Sequence, residues 1–171
     1  MKRPAIAYLS LGSNVGDRQA HLALALDRLA RCGLTPVTVS GLYETEHVGA
    51  PGEERPAYLN AVAAVATNLS PPAILDAIEQ VERLGGRDRP TPHAPRTIDI
   101  DLLLLGRARL KGDRLTLPHP RMAQRAFVLL PLAEVAPGLR LPGGLTAAEA
   151  ASRGRVAAQS IRRLDWPSAR P

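Results

Sequence analysis

The 171-residue sequence predicts an α+β domain in which helices pack on a mainly antiparallel sheet. Three observations predict it. Strand-like and helix-like apolar spacings are intermixed along the chain, with no internal repeat and only moderate connections between the strongest strands. The length suits a single domain. Apolar residues make up 45% of the chain, enough to bury a substantial core. With one Phe, one Trp and three Tyr, that core has to be built from Leu, Val, Ile and Ala.

Residues 5–11 read as a short buried strand that runs into the turn cluster Gly12-Ser13-Asn14. Asp17 caps a helix to about Arg31, with Leu22, Leu26 and Leu29 at helical spacing and Gly33 as its stop. Residues 35–43 are β-branched and read as one strand. Residues 44–57, rich in Gly, Pro and charge, read as a long mobile loop of the kind that serves as a lid. Residues 58–67 read as a strand with Tyr58, Asn60 and Val62 on one face and Leu59, Ala61 and Ala63 on the other.

Ser70-Pro71-Pro72 starts a helix that is buried through Ile74, Ile78 and Val81 and ended by Gly85-Gly86. Residues 87–96, with three Pro and three Arg, read as a second long loop. Residues 97–105 are the strongest strand in the chain, and residues 109–117 hold a small hairpin around Gly112-Asp113. Residues 122–128 and 131–136 read as short helices, 139–141 as a last strand and 147–158 as a helix. The domain is expected to span 1–158, followed by a loosely ordered basic tail over 159–171.

Composition narrows the function classes. A single cysteine, Cys32, excludes an intramolecular disulfide framework. No stretch reaches the length of a membrane span, and the first 11 residues lack a secretory pattern, so a cytoplasmic protein is expected. The net charge of +6 favours anionic partners. Lys2 and Lys111 are the only lysines, and arginine supplies the planar fork that matches phosphate oxygens.

Chemistry concentrates in Thr97-Ile98-Asp99-Ile100-Asp101-Leu102-Leu103-Leu104-Leu105. A period of two sends Ile98, Ile100, Leu102 and Leu104 to one face and Asp99 and Asp101 to the other. Two same-face residues on a strand stand about 6.5–7 Å apart, so the carboxylates can bracket small hard cations. In so apolar a strand they need a cation, either a divalent metal or a guanidinium such as that of Arg96. Arg87, Arg89 and Arg96 precede the strand, and Arg121 and Arg125 follow His119. An acidic pair flanked by arginines suits phosphoryl transfer, in which metal and guanidinium share the phosphate charge.

No Walker-type or kinase Gly-rich loop is present, and Gly12-Ser13-Asn14-Val15-Gly16 reads as a plain strand-to-helix turn. Pro118-His119-Pro120 holds His119 extended, as a phosphate ligand, a proton donor or a simple turn residue. Glu82, at the edge of its helix's buried stripe, reads as a structural partner.

Several motifs then occur in a specific order: Leu11-Gly12-Ser13-Asn14, Leu42-Tyr43-Glu44-Thr45, Tyr58-Leu59-Asn60-Ala61-Val62, Pro95-Arg96-Thr97-Ile98-Asp99-Ile100-Asp101, Leu117-Pro118-His119-Pro120-Arg121 and Arg125-Ala126-Phe127-Val128-Leu129-Leu130-Pro131-Leu132. Over roughly residues 5–142 the chain resembles the 6-hydroxymethyl-7,8-dihydropterin pyrophosphokinase family of the folate pathway. The resemblance implies a ferredoxin-like, three-layer α+β fold and transfer of pyrophosphate from ATP to the pterin's hydroxymethyl oxygen, leaving AMP. It implies two Mg²⁺ ions on Asp99 and Asp101, with Arg87 and Arg96 as further catalytic residues. Glu82, Arg87, Arg96, Ile100, His119 and Arg125 match ATP contacts, and Thr45, Val48, Tyr58, Asn60 and Phe127 match the pterin pocket. Phe127 would stack on the ring, although the chain's only Phe also suits a core.

The resemblance implies that loops 44–57 and 87–96 are mobile lids. It departs from the family pattern at His93, where well-known members carry Trp, and at Pro90, where a Lys can occur. The second lid is also about one residue short and the loop before Tyr58 about two long. A stand-alone monomer is expected, with small-molecule substrates and without nucleic-acid or membrane partners. The competing class, a basic nucleic-acid-binding domain, accounts for the charge and the Arg-rich tail. It lacks the aromatics for a stacking platform and leaves Asp99 and Asp101 without a role. A catalytically dead homologue is the third reading, and intact Asp99, Asp101 and Arg96 argue against it.

Overall fold

The computed structural model describes residues 3–45, 56–86, 97–153 and 160–167. Most of both expected lids, including Val48, Arg87, Arg89, Pro90, His93 and Arg96, therefore lies outside the described residues. Three long strands form the centre: β1 (Ala5–Ser13), β4 (Tyr58–Thr67) and β5 (Asp99–Leu105). The expected bounds of β4 hold. β1 runs two residues further than expected, because Gly12 and Ser13 still pair with Asn60 and Leu59 rather than turning away.

The caps work as their chemistry demands. Asp17 accepts a hydrogen bond from Ala20 N and opens α1 (Arg18–Arg31); Gly33, at φ 85°, follows its end in the left-handed conformation that glycine tolerates. Ser70 accepts from Ala73 N and opens α2 (Pro71–Leu84), whose Pro71 and Pro72 sit where a helix leaves its N–H groups unpaired anyway. Leu22, Ala25 and Leu29 of α1 and Ile74, Ala77, Ile78 and Val81 of α2 bury one face of the sheet.

The segment expected as one strand over 35–43 is two, β2 (Thr35–Val39) and β3 (Leu42–Thr45), both antiparallel to β4. The break falls at Ser40-Gly41, whose polar groups are redirected. Ser40 Oγ accepts from Val62 N and donates to Gly41 O, while Gly41 N donates to Glu134 Oε1.

A second irregularity sits in β5. The β1–β5 register shifts between Tyr8 and Leu9, so that Tyr8 faces Leu104 and Leu9 faces Leu102. Leu103 is the extra residue of a bulge, and the alternation changes parity there. Ile98, Ile100, Leu102 and Leu105 join the α1–α2 core, whereas Leu103 and Leu104 join the opposite one. This corrects the expectation that Leu104 shares a face with Ile98, Ile100 and Leu102.

The opposite layer also differs from expectation. In place of two short helices, a 3₁₀ turn (Met122–Gln124) leads into a single helix α3 (Ala126–Val135) with Pro131 inside it. Proline removes one helical N–H. Burial of Val128, Leu129, Pro131 and Leu132 against the sheet and α4 (Ala147–Ala151) offsets that loss. α4 carries a full capping box between Thr146 and Glu149 and reaches its C-cap at Ser152, short of the expected residue 158. The expected strand at 139–141 reduces to one isolated bridge between Arg140 and Thr146.

The expected hairpin is present as β6 (Leu110–Lys111) and β7 (Thr116–Leu117). Its Arg114 pairs with Asp76 and Glu79 of α2. The tail is not loose throughout: Ile161–Leu164 forms β8, paired along the whole of β3. Among the described residues the main sheet runs β5-β1-β4-β3-β8, with β2 also on β4, and every pairing is antiparallel. With helices on both faces, the fold is the expected three-layer α+β domain.

Candidate active site

The C-terminal ends of β1 and β3 meet the N-terminal ends of β4 and β5 at one end of the sheet. Two cross-strand rows cross it. Asp99 lies opposite Gly12, Gly12 opposite Asn60, and Asn60 opposite Tyr43. One step inward, Asp101 lies opposite Ser10 and Ser10 opposite Val62. Directly paired residues share a face of a sheet. Val62 belongs to the α3 side of the core, so both carboxylates face that side too.

Gly12 is the open position in the first row. A Cβ there would stand 3.1 Å from Asn60 Oδ1. The missing side chain makes room for Asn60 Oδ1 and the Tyr58 ring to lean over Gly12, between two outer strands about 10 Å apart. Asn60 is buried and oriented: its Nδ2 donates to Tyr43 O at 3.1 Å and to Thr45 Oγ1 at 3.2 Å. Tyr58 stands beside it, half-buried and opposite Thr45.

Asp101 is held above the usual carboxylate range, first by burial and then by the neighbouring charge of Asp99. His119, Arg125 and Arg121 pull the other way. Arg125 Nη1 is 3.7 Å from Asp101 Oδ2, and both side chains are partly exposed. A pair of that length and exposure is worth at most about 1 kcal/mol. Arg125 therefore supplies Asp101 with only part of a counter-charge.

His119 is brought to the strand by its own backbone, which donates to Leu103 O at 2.9 Å beside the bulge. Its Nδ1 accepts from Arg121 N at 3.2 Å, which puts the imidazole proton on Nε2. Burial lowers its proton affinity, followed by the cations Arg125 and Arg121, with Asp101 opposing. Arg125 leads into α3, and its Cζ lies 5.5 Å from the centroid of the half-buried Phe127 ring.

Asp99 and Asp101 supply hard oxygen donors and so fit Mg²⁺. Among the described residues no group of three or more His, Cys, Asp or Glu side chains gathers. Any such ion there would draw its remaining ligands from water and phosphate, as Mg²⁺ commonly does.

The sequence model of one family, described as 7,8-dihydro-6-hydroxymethylpterin-pyrophosphokinase, matches residues 8–137. The chain belongs to this family. Relatives named 2-amino-4-hydroxy-6-hydroxymethyldihydropteridine pyrophosphokinase include that of Pseudomonas aeruginosa, 44% identical over 138 residues, covering 80% of this chain and 84% of that one. The relative of Bacillus subtilis is 43% identical over 131 residues, covering 76% and 77%. That of Methylorubrum extorquens is 43% identical over 148 residues, covering 86% and 92%. A solved HPPK-DHPS structure in complex with substrates superposes with a TM-score of 0.66 at 14% identity, a likeness of fold. It covers 87% of this chain, which spans 43% of that one.

Against the pyrophosphokinase pattern, Thr45, Tyr58, Asn60, Asp99 and Asp101 gather at the two rows, His119 and Arg125 stand beside Asp101, and Phe127 lies by Arg125 on the same side of the sheet; Ile100 sits between the two aspartates in sequence but faces the α1–α2 core. Glu82 does not face the two rows. It is 3% exposed, on α2, and its Oε1 accepts from Ile100 N at 2.9 Å. That bond braces β5, in keeping with the structural reading of its helix position. Three contributors escaped the sequence reading: Ser10, opposite Asp101; Tyr43, at the end of the first row; and Glu134, which accepts from Tyr43 Oη at 2.6 Å. The period of two along β1 could have signalled Ser10; the other two depend on contacts between distant segments.

Proposed function

We propose that this chain transfers a pyrophosphoryl group from ATP to the hydroxymethyl oxygen of 6-hydroxymethyl-7,8-dihydropterin, giving AMP and the pterin diphosphate in folate biosynthesis. Its membership of the pyrophosphokinase family supports the reaction, and one observation carries it to this site. The Asp99–Gly12–Asn60 row sets a carboxylate and an oriented carboxamide on one face of the sheet, on either side of a glycine.

In this reading Asn60 and Thr45 hold the edge of the pterin, and Phe127 and Tyr58 give it apolar surface. Val48 belongs to the same pocket on the family pattern. Asp99 and Asp101 hold two Mg²⁺, which neutralise phosphate charge when bound. His119, through its Nε2–H, and Arg125 bind phosphate oxygens. Arg87 and Arg96 complete that set on the resemblance, and Ile100 adds backbone contact with the nucleotide. The hydroxymethyl oxygen forms a bond to Pβ and loses its proton. The bond from Pβ to the α,β-bridging oxygen breaks, and its electron pair leaves with AMP.

No described helix is long and apolar enough to cross a membrane. We assign a cytoplasmic monomer working on small molecules. The decisive experiment incubates the protein with ATP, Mg²⁺ and the hydroxymethyl dihydropterin. AMP as product is expected. ADP instead would mean ordinary kinase chemistry, and no pterin-dependent turnover would sink the assignment.

A further inference from the structure

β8 lies beyond the family match, which ends at residue 137, and its two arginines are not part of the proposed chemistry. They nevertheless reach both layers around the pterin side. Adjacent strand residues point to opposite faces. Arg162 lies opposite Glu44 and Arg163 opposite Tyr43.

On the α1 side, Arg162 Nη2 donates to Glu44 Oε2 at 2.6 Å. The other oxygen, Oε1, accepts from Arg18 Nη2 at 2.7 Å, and Arg18 Nη1 donates to Ala57 O at 2.7 Å. Glu44 and Ala57 each immediately precede a member of the Thr45–Tyr58 pair. This chain of contacts therefore ties the two strand ends that carry expected pterin residues.

On the α3 side, Arg163 donates through Nη2 and Nε to the two oxygens of Glu134, at 3.0 and 3.3 Å. The same carboxylate takes Tyr43 Oη at 2.6 Å and Gly41 N at 3.0 Å. Glu134 stands seven residues after Phe127, about two helical turns along the same face of α3. Holding Glu134 on β3 thus sets the spacing between the Phe127 ring and the Asn60–Thr45 edge. The space is shaped for the guanidinium: a Cβ at Gly41 would lie 2.8 Å from Arg163 Nη2. Just past the strand, Trp166 Nε1 donates to Ser40 O at 2.8 Å and pins the segment in place.

We infer that β8 is a positioning element for the pterin pocket, with Arg163 holding α3 to β3 through Glu134 and Arg162 holding β3 to α1 through Glu44. The inference rests on the function proposed above. Arg163 and Arg162 touch neither substrate; they act through the carboxylates they hold.

The test uses the full chain and steady-state kinetics with each substrate varied in turn. Wild-type release of AMP, measured first, tests the proposed function alone; its absence overturns both readings. Given wild-type turnover, Arg163→Ala raises KM for the pterin about fivefold or more, the lower end of coupling between linked sites. KM for ATP stays within twofold. Arg163→Lys recovers part of the loss, since lysine keeps the charge but not the fork. Glu134→Gln gives the same selective defect, and adding it to Arg163→Ala brings little further loss because both break one link. Emission from Trp166, the only tryptophan, verifies that the strand stays docked in each variant. A fall in melting temperature with both KM values unchanged, or an equal rise in both, overturns the inference and leaves β8 a structural edge.

Discussion

Glu82→Ala should damage this protein in a way that Glu82→Gln does not. The Glu82 carboxylate is buried and accepts the Ile100 N–H, on the peptide between Asp99 and Asp101. Among the described residues β5 is an edge strand of the main sheet, so an outward N–H there has no neighbouring described strand to serve it. Alanine leaves that donor buried and unpaired, which costs about 1–3 kcal/mol, less whatever is regained by no longer burying a carboxylate. For a domain of this size that lowers the melting temperature by roughly 3–10 °C. Glutamine keeps a carbonyl oxygen at the same reach and exchanges a charge-assisted bond for a neutral one, a loss of about 1 kcal/mol or less.

Turnover should follow the same order, because a strand free to shift misplaces both carboxylates. A 1 Å displacement can cost about a hundredfold. Urea unfolding and turnover of the three proteins check both parts. An alanine variant that unfolds within about 0.5 kcal/mol of wild type would refute the bracing role.

The metal pair gives a second prediction: Asp99→Ala and Asp101→Ala leave folding largely intact and lower turnover by at least about a hundredfold, the scale of losing one charge-stabilising group. Asp101→Asn, assayed in chelator, melts no lower than wild type, since it removes a partly buried charge repelled by Asp99; near-full activity with Mg²⁺ in either alanine variant would show the centre to be misplaced. A third concerns acid. The Arg163 hydrogen bonds, then those from Tyr43 and Gly41, hold Glu134 down to about 2, against an ordinary 4.5. Its contribution to stability is therefore present above the ordinary value and lost as pH falls from 4.5 through about 2. Urea midpoints across that window should fall more steeply for wild type than for Glu134→Gln, and parallel curves would count against it.

Much of the fold was legible locally. Caps at Asp17 and Ser70, the apolar stripes of α1 and α2 and the full extent of β4 each depend on residues a few positions apart. So did the essential fact of the site, that Asp99 and Asp101 share a face of an apolar strand, since a period of two needs no partner. Other features depend on partners distant in sequence. The bulge at Leu103 moves Leu104 to the other core because β1, some ninety residues earlier, sets the register. Pro131 stays inside α3 because burial outweighs one lost hydrogen bond. Arg162 and Arg163 look like a solvated tail until β3 supplies the edge and Glu44 and Glu134 the counter-charges. By itself the sequence determined that Asp99 and Asp101 lie on one face of an apolar strand, with arginines on both sides of it in the chain. Only tertiary structure decided that Gly12 lies between Asp99 and Asn60, because cross-strand neighbours are chosen by register and not by spacing along the chain.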